Sequence, residues 1–283
     1  MLELILSTYG KITVRISQVE GWGHQLKNRS DHCGRNTKLN DFLSAHVLSL
    51  LVEYLPDKTE VCQVIEQCFR DYTRNNNGDI GSKLRIAAMK SIQKIDKDLE
   101  QIPDELYACL VNNTIQQGAE KILAVRTEAA YALLTFFRNK NSSIPDLVRL
   151  ENLLLPKTNR KDYLEKDPKP SASSWGDRKV TSWAADWGKE RYFSKYKDVL
   201  NIQTFQKSSL RGLLVSSGDM TESLSAAASA ALYEFIDKLE DESVLEGFVE
   251  NIYKIWIDDS RNLVTKPLLK VLDEFLSKLI NKL

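Results

Sequence analysis

The sequence predicts an all-α fold, a solenoid of antiparallel helix pairs interrupted by one irregular insert. Three observations carry this expectation. Glycine and proline number only 12 and 7 among 283 residues, well short of the average joint share of about 12%, so the turns an all-β fold requires are missing. Apolar residues recur at intervals of three and four along most of the chain from Asp41 onward, the period of an amphipathic helix. One triplet of apolar and small residues returns at a near-constant spacing, the mark of stacked repeats.

Taken in order, residues 1–40 show no sustained periodicity and read as a poorly ordered lead-in. Residues 41–155 read as helical repeats. Asp41 is a suitable N-cap for a helix carrying Phe42, Leu43, His46, Val47, Leu50, Leu51 and Tyr54, closed by Pro56. Thr59 is placed to cap the next, with Val61, Val64, Ile65, Cys68, Phe69 and Tyr72 on it, and 75–78 is a loop by composition. Leu84, Ala88 and Ile92 begin a third stripe. Leu106 and Leu110 follow Pro103, which suits a first helical position; Val125, Ala129 and Leu133 follow, and Leu147 to Leu154 completes the half.

Residues 156–198 break the pattern. From 157 to 198 there are eleven Lys/Arg against seven Asp/Glu, two prolines, and three of the five tryptophans: Trp175, Trp183 and Trp187. Three tryptophans left in water form a sticky surface, so they either fold back on the helices or serve as anchors for a partner. Residues 199–283 resume as helical repeats, with stripes at Leu224–Ala228–Leu232, at Phe248, Ile252, Ile255 and Trp256, and at Val264–Leu268–Leu272. The stretch 219–259 holds eleven acids and two bases and reads either as a solvated face or as a contact for a basic partner.

The triplets begin at Leu84, Val125, Leu224 and Val264. The first and last intervals match the period of about 40–47 residues expected of HEAT/armadillo-like helix pairs. The geometry explains the pattern: a small alanine lets a neighbouring helix approach, and the flanking aliphatics fill the space around it. Leu84-Arg85 and Val125-Arg126 repeat an aliphatic–arginine pair, and Asp79 in the preceding loop is expected to meet an arginine of an adjacent repeat.

Composition narrows function. Lys+Arg and Asp+Glu both number 39, which removes the basic excess usual in nucleic-acid binders. No uncharged apolar run reaches the length a membrane-spanning helix needs, and the first residues lack a basic signal-peptide region. Cys33, Cys62, Cys68 and Cys109 show no paired spacing, which fits a reducing, cytoplasmic setting and structural burial. Residues 73–84 fail as a calcium loop, because Thr73 and Leu84 occupy positions that require carboxylates. Gly78 to Lys83 lacks the P-loop spacing. His24, His32 and Cys33 lack a fourth zinc ligand. No nucleophile signature is present, and no cofactor, metal or catalytic residue is expected; the candidate carboxylates of a hypothetical enzyme are Asp177 and Asp186.

Three stretches bear a family resemblance. Asn77-Gly78-Asp79-Ile80-Gly81 runs into Arg85-Ile86-Ala87-Ala88-Met89. Leu210-Arg211-Gly212-Leu213-Leu214-Val215-Ser216-Ser217-Gly218-Asp219-Met220-Thr221-Glu222-Ser223 is the most specific. Pro267-Leu268-Leu269-Lys270-Val271-Leu272-Asp273 is the third. In order and rough spacing they resemble the C-terminal region of the tubulin-folding cofactor D family, HEAT-repeat chaperones several times longer, so a fragment or truncated member is expected, with cut ends and a marginal isolated fold. Asp219 stands where that family has glycine. The resemblance implies a scaffold that binds β-tubulin and takes part in assembling and dismantling the αβ heterodimer. Its implied partners are cofactors E and C and a small Arf-like GTPase, with stimulation of tubulin GTP hydrolysis only within the complex, and a cytoplasmic, cytoskeleton-associated place. The alternative is a generic HEAT-repeat adaptor for trafficking or transport. Candidate protein-contact residues are Trp175, Trp183, Trp187 and Asp219.

Overall fold

A computed structural model describes residues 52–75, 78–139, 144, 146–157, 164, 186–187, 189–218, 221–259 and 263–282. The helix expected from Asp41 lies outside these residues except for a 3-10 turn at Val52–Tyr54. The helices are α1 (Lys58–Phe69), α2 (Gly81–Lys94), α3 (Asp104–Gly118), α4 (Leu123–Asn139), α5 (Leu147–Leu154), α6 (Tyr196–Val199), α7 (Gln203–Ser217), α8 (Glu222–Asp237), α9 (Glu242–Asp258) and α10 (Thr265–Lys282). Strands β1 (Arg74–Asn75) and β2 (Gly78–Asp79) form a two-residue antiparallel hairpin, with Arg74 opposite Asp79. The all-α solenoid of the sequence reading stands.

Four antiparallel hairpins stack among the described residues: α1–α2, α3–α4, α7–α8 and α9–α10. Their first helices form one layer in the order α1, α3, α7, α9, each packed on the next. In the second layer α2 packs on α4 and α8 on α10. Between α4 and α8 lie a 3-10 segment (Glu190–Lys195) and α6, both packed on α8. Residues 190–198, inside the span expected to be irregular, are therefore helical turns that belong to the stack.

The alanine seam is where the repeat places it. Ala88, Ala129 and Ala228 are 2%, 0% and 0% exposed. Asp57, not Thr59, caps α1: its carboxylate accepts the Glu60 N–H at 3.0 Å, and the helix already begins at Lys58.

The 99-residue step between the second and third triplets adds no hairpin to the first layer, because α7 packs directly on α3. Gly212 makes that approach possible. A Cβ there would sit 2.5 Å from the Gln116 carbonyl and 2.8 Å from the Ala119 Cβ. Two bonds fasten the seam: the Ser216 hydroxyl donates to Ala119 O at 2.6 Å, and the Ser208 hydroxyl to Asn112 Oδ1 at 2.8 Å. At the next seam the Gln206 amide donates to Val244 O at 3.3 Å and accepts from Asn251 at 2.8 Å, so α7 is tied on both sides.

Candidate interaction surface

A buried ladder of charges runs through the inter-helix loops. Asp79 precedes α2 and accepts the Ser82 N–H at 3.0 Å. Arg85, one turn into α2 and fully buried, places Nη2 2.9 Å from Asp79 Oδ2 and 3.5 Å from Glu120 Oε1. Glu120 lies in the loop before α4 and accepts the Ile122 N–H at 2.8 Å. Arg126 repeats the position of Arg85, donating to Glu120 O at 2.7 Å and Lys121 O at 2.8 Å. Asp79 thus pairs with the arginine of its own hairpin, not of an adjacent one as expected. The cross-repeat contact runs forward from Arg85 to Glu120, because the guanidinium points into the groove between α2 and the next loop.

Aromatic groups complete the ladder. The Arg85 guanidinium lies 4.1 Å above the Tyr72 ring, and Tyr72 accepts from Gln116 at 2.9 Å and Gln117 at 3.1 Å. Burial pushes the Glu120 carboxyl above its usual range, and Arg85 opposes that rise. Burial likewise works against the Arg85 charge, but the surrounding Tyr72, Glu120 and Asp79 outweigh it and hold its pKa above the ordinary value. Such an arrangement fixes one packing of neighbouring hairpins, since any other leaves charges buried and unpaired.

A second anchor closes the junction of the two halves. Trp187 is 0% exposed, and its indole N–H donates to Gly118 O at 3.1 Å. Its ring packs against Tyr192 at 4.5 Å and edge-on to Tyr196 at 6.1 Å. Tyr196 donates to Ile115 O at 3.1 Å, and Tyr192 donates to Leu154 O. Gly118 leaves room for this cluster: a Cβ there would meet the Tyr196 hydroxyl and lie 3.1 Å from the indole ring. Of the candidate contact residues, then, Trp187 is an interior group with no surface to offer a partner. Trp175, Trp183 and Asp219 lie outside the described residues, as do Asp177 and all three histidines. Asp186 is a surface carboxylate bound by Lys189 at 2.8 Å and Arg191 at 2.6 Å. Lys189 first, then Arg191, hold its pKa below the ordinary value. Cys62 and Cys68 are not bonded to each other, and burial pushes both thiols up to about 12.

Two features remain on the outside. An open cleft of about 700 Å³ lies where α5, the turn after α6 and the start of α9 meet, lined by Asp146, Arg149, Asp198, Asp241 and neighbours. The second is α9 itself, which exposes Val249, Tyr253, Trp256 and Ile257. Of the stripe that periodicity predicts for this helix, Phe248, Ile252 and Ile255 are buried, whereas Trp256 is 59% exposed.

A family model described as tubulin folding cofactor D, C terminal, matches residues 108–282. The chain belongs to the tubulin folding cofactor D family. The match runs from α3 to α10 and takes in three of the four hairpins, the Gly212 approach, the Trp187 cluster and the exposed face of α9. Two of the three resembling stretches, 210–223 and 267–273, fall within it; the one around Asp79 and Arg85 precedes it.

Proposed function

We propose that this chain is a protein-binding scaffold of the tubulin-folding pathway that engages β-tubulin and takes part in assembly and disassembly of the αβ heterodimer. The family match over 108–282 carries this reading. The architecture supports it: stacked hairpins held by buried polar seams present extended faces, and solenoids of this kind work by surface complementarity. Cofactors E and C and a small Arf-like GTPase are its proposed companions. In this reading the chain supplies no catalytic group, and stimulation of GTP hydrolysis belongs to the assembled complex. Its place is the cytoplasm, in association with the microtubule cytoskeleton; no described helix is long and apolar enough to cross a membrane.

The test is direct capture. The 283-residue chain, immobilised through a terminal tag, is challenged with purified αβ-tubulin, with and without cofactors E and C and the GTPase. Retention of β-tubulin that saturates and is competed by free chain supports the proposal. Absence of retention under every combination, with vesicle-coat or import factors captured instead from extract, overturns it in favour of a trafficking or transport adaptor.

A further inference from the structure

We propose that the outer face of α9 is a docking surface for a basic amphipathic helix of a partner protein, an inference that does not depend on the tubulin reading. The inner face of α9 is already used. Phe248, Ile252 and Ile255 are buried, and Phe248 packs against Phe235 at 5.3 Å and Phe275 at 5.7 Å. The helix nevertheless carries a second apolar stripe. Val249, Tyr253, Trp256 and Ile257 are 47%, 59%, 59% and 62% exposed, and their spacing keeps them on one side of the helix. The adjacent α10 exposes Leu269 and Leu276, two turns apart. Two neighbouring helices with outward apolar residues form a groove, the shape that accepts a third helix. Tyrosine and tryptophan are the residues that most often dominate such contacts.

Charge selects the occupant. One and two turns before Val249 the same stripe continues as Glu246 and Glu242, both exposed. The nearest base on the helix, Lys254, is held by Glu250 at 2.7 Å. At that same end of α9 the cleft adds Asp241, Asp198 and Asp146 against one base, Arg149. The N-cap bonds from Ser243 and Val244 hold the Asp241 carboxyl below the ordinary range, so it stays charged. The groove is thus apolar at one end and acidic at the other. A second copy of the chain does not fit it. Antiparallel pairing sets Glu242 and Glu246 of each copy over Trp256 and Ile257 of the other, and parallel pairing sets carboxylate against carboxylate; both bury unpaired charge. A helix with apolar residues along one side and Lys or Arg at the end that meets Glu242 and Glu246 satisfies both halves.

The probe is a fluorescein-labelled synthetic helix of about 18 residues with leucines at i, i+3, i+4 and i+7 and a cluster of arginines at one end. Its counterpart has glutamates in place of the arginines. Fluorescence anisotropy with the full chain is expected to show saturable binding of the arginine probe and little of the other. Trp256→Glu weakens binding roughly tenfold or more. Glu242→Lys with Glu246→Lys weakens the arginine probe and gains binding to the glutamate probe. Because these side chains are exposed, far-UV circular dichroism of the variants should match wild type; if Trp256→Glu unfolds the chain, Ile257→Gln gives the same reading. Equal binding of both probes, no saturable binding, or indifference to Trp256→Glu overturns the proposal. So does a concentration-dependent dimer in sedimentation velocity that Trp256→Glu abolishes, because a second copy then fills the groove.

Discussion

Replacing Arg85 with methionine tests the idea that buried charges in the loops fasten one hairpin to the next. The guanidinium is fully buried between Asp79 at 2.9 Å and Glu120 at 3.5 Å, over the Tyr72 ring at 4.1 Å. Methionine keeps much of the volume but leaves two carboxylates without their cation. Breaking a buried pair by removing one partner costs about 3–5 kcal/mol, and the lost ring contact about 0.5–2 kcal/mol; recovered apolar packing offsets part of this. Arg85→Met is therefore expected to lower unfolding free energy by about 3 kcal/mol, read as a shift of the urea midpoint by circular dichroism. The pH dependence has a definite sign. The Glu120 carboxyl is raised in the folded state by burial. A raised carboxyl stabilises fully below its unfolded value of 4.5 and loses that contribution as pH climbs through the folded value. Without Arg85 the folded value rises further. The destabilisation should then be smallest near about pH 5 and grow toward about pH 8. Adding Glu120→Gln should recover about 1 kcal/mol or more at the higher pH. A change within about 0.5 kcal/mol of wild type at both pH values would refute the ladder as a structural tie.

Four further outcomes are expected. Gly212→Ala drives a Cβ into the Gln116 carbonyl and Ala119 and should cost about 1–3 kcal/mol in thermal unfolding; a neutral result means the helices are not in close contact. Trp187→Phe keeps the ring contacts but orphans the buried Gly118 carbonyl, for a loss of about 1–3 kcal/mol, whereas Trp187→Ala should lose about 3–5 kcal/mol and flatten the near-UV circular dichroism. Cys62 is buried and Cys68 half-buried, and desolvation pushes both thiols up to about 12; Cys62 should resist iodoacetamide at neutral pH until urea is added, as read by peptide mass spectrometry, and its rapid native labelling contradicts its burial. Hydrogen bonds from Lys197 and Lys238 lower Glu234 from 4.5 to about 2, so its stabilising effect is present above 4.5 and fades as pH falls toward about 2; NMR titration should show this and salt should shift it upward.

Much of the frame is legible in the residues. Three alanines with flanking aliphatics mark three second-layer helices, because only a small side chain permits the approach that the period demands, and Ala88, Ala129 and Ala228 are buried as that reasoning requires. The long-range ties are not legible in the same way. Trp187 bonds to a carbonyl 69 residues upstream, and no local period announces such a contact. Its composition marks a tryptophan in an irregular segment, which serves a partner or the interior equally well. The Arg85 ladder did leave a signal. An acid stands five residues before each triplet, at Asp79, Glu120, Asp219 and Asp259. Asp259 uses it to accept the Leu263 and Val264 N–H groups at 2.9 Å each before α10. The outward stripe of α9 was hidden because Trp256 adjoins Ile255 in sequence, and periodicity alone assigns both to the core.

Hydrogen–deuterium exchange of the chain, alone and with purified αβ-tubulin, bears most directly on a rigid stack of hairpins that works through its surface. Slow exchange is expected in α2, α3, α4, α7 and α8, with tubulin adding protection confined to outward-facing segments. Fast exchange at the α3–α7 seam, or a tubulin complex that leaves every segment unchanged, would contradict it.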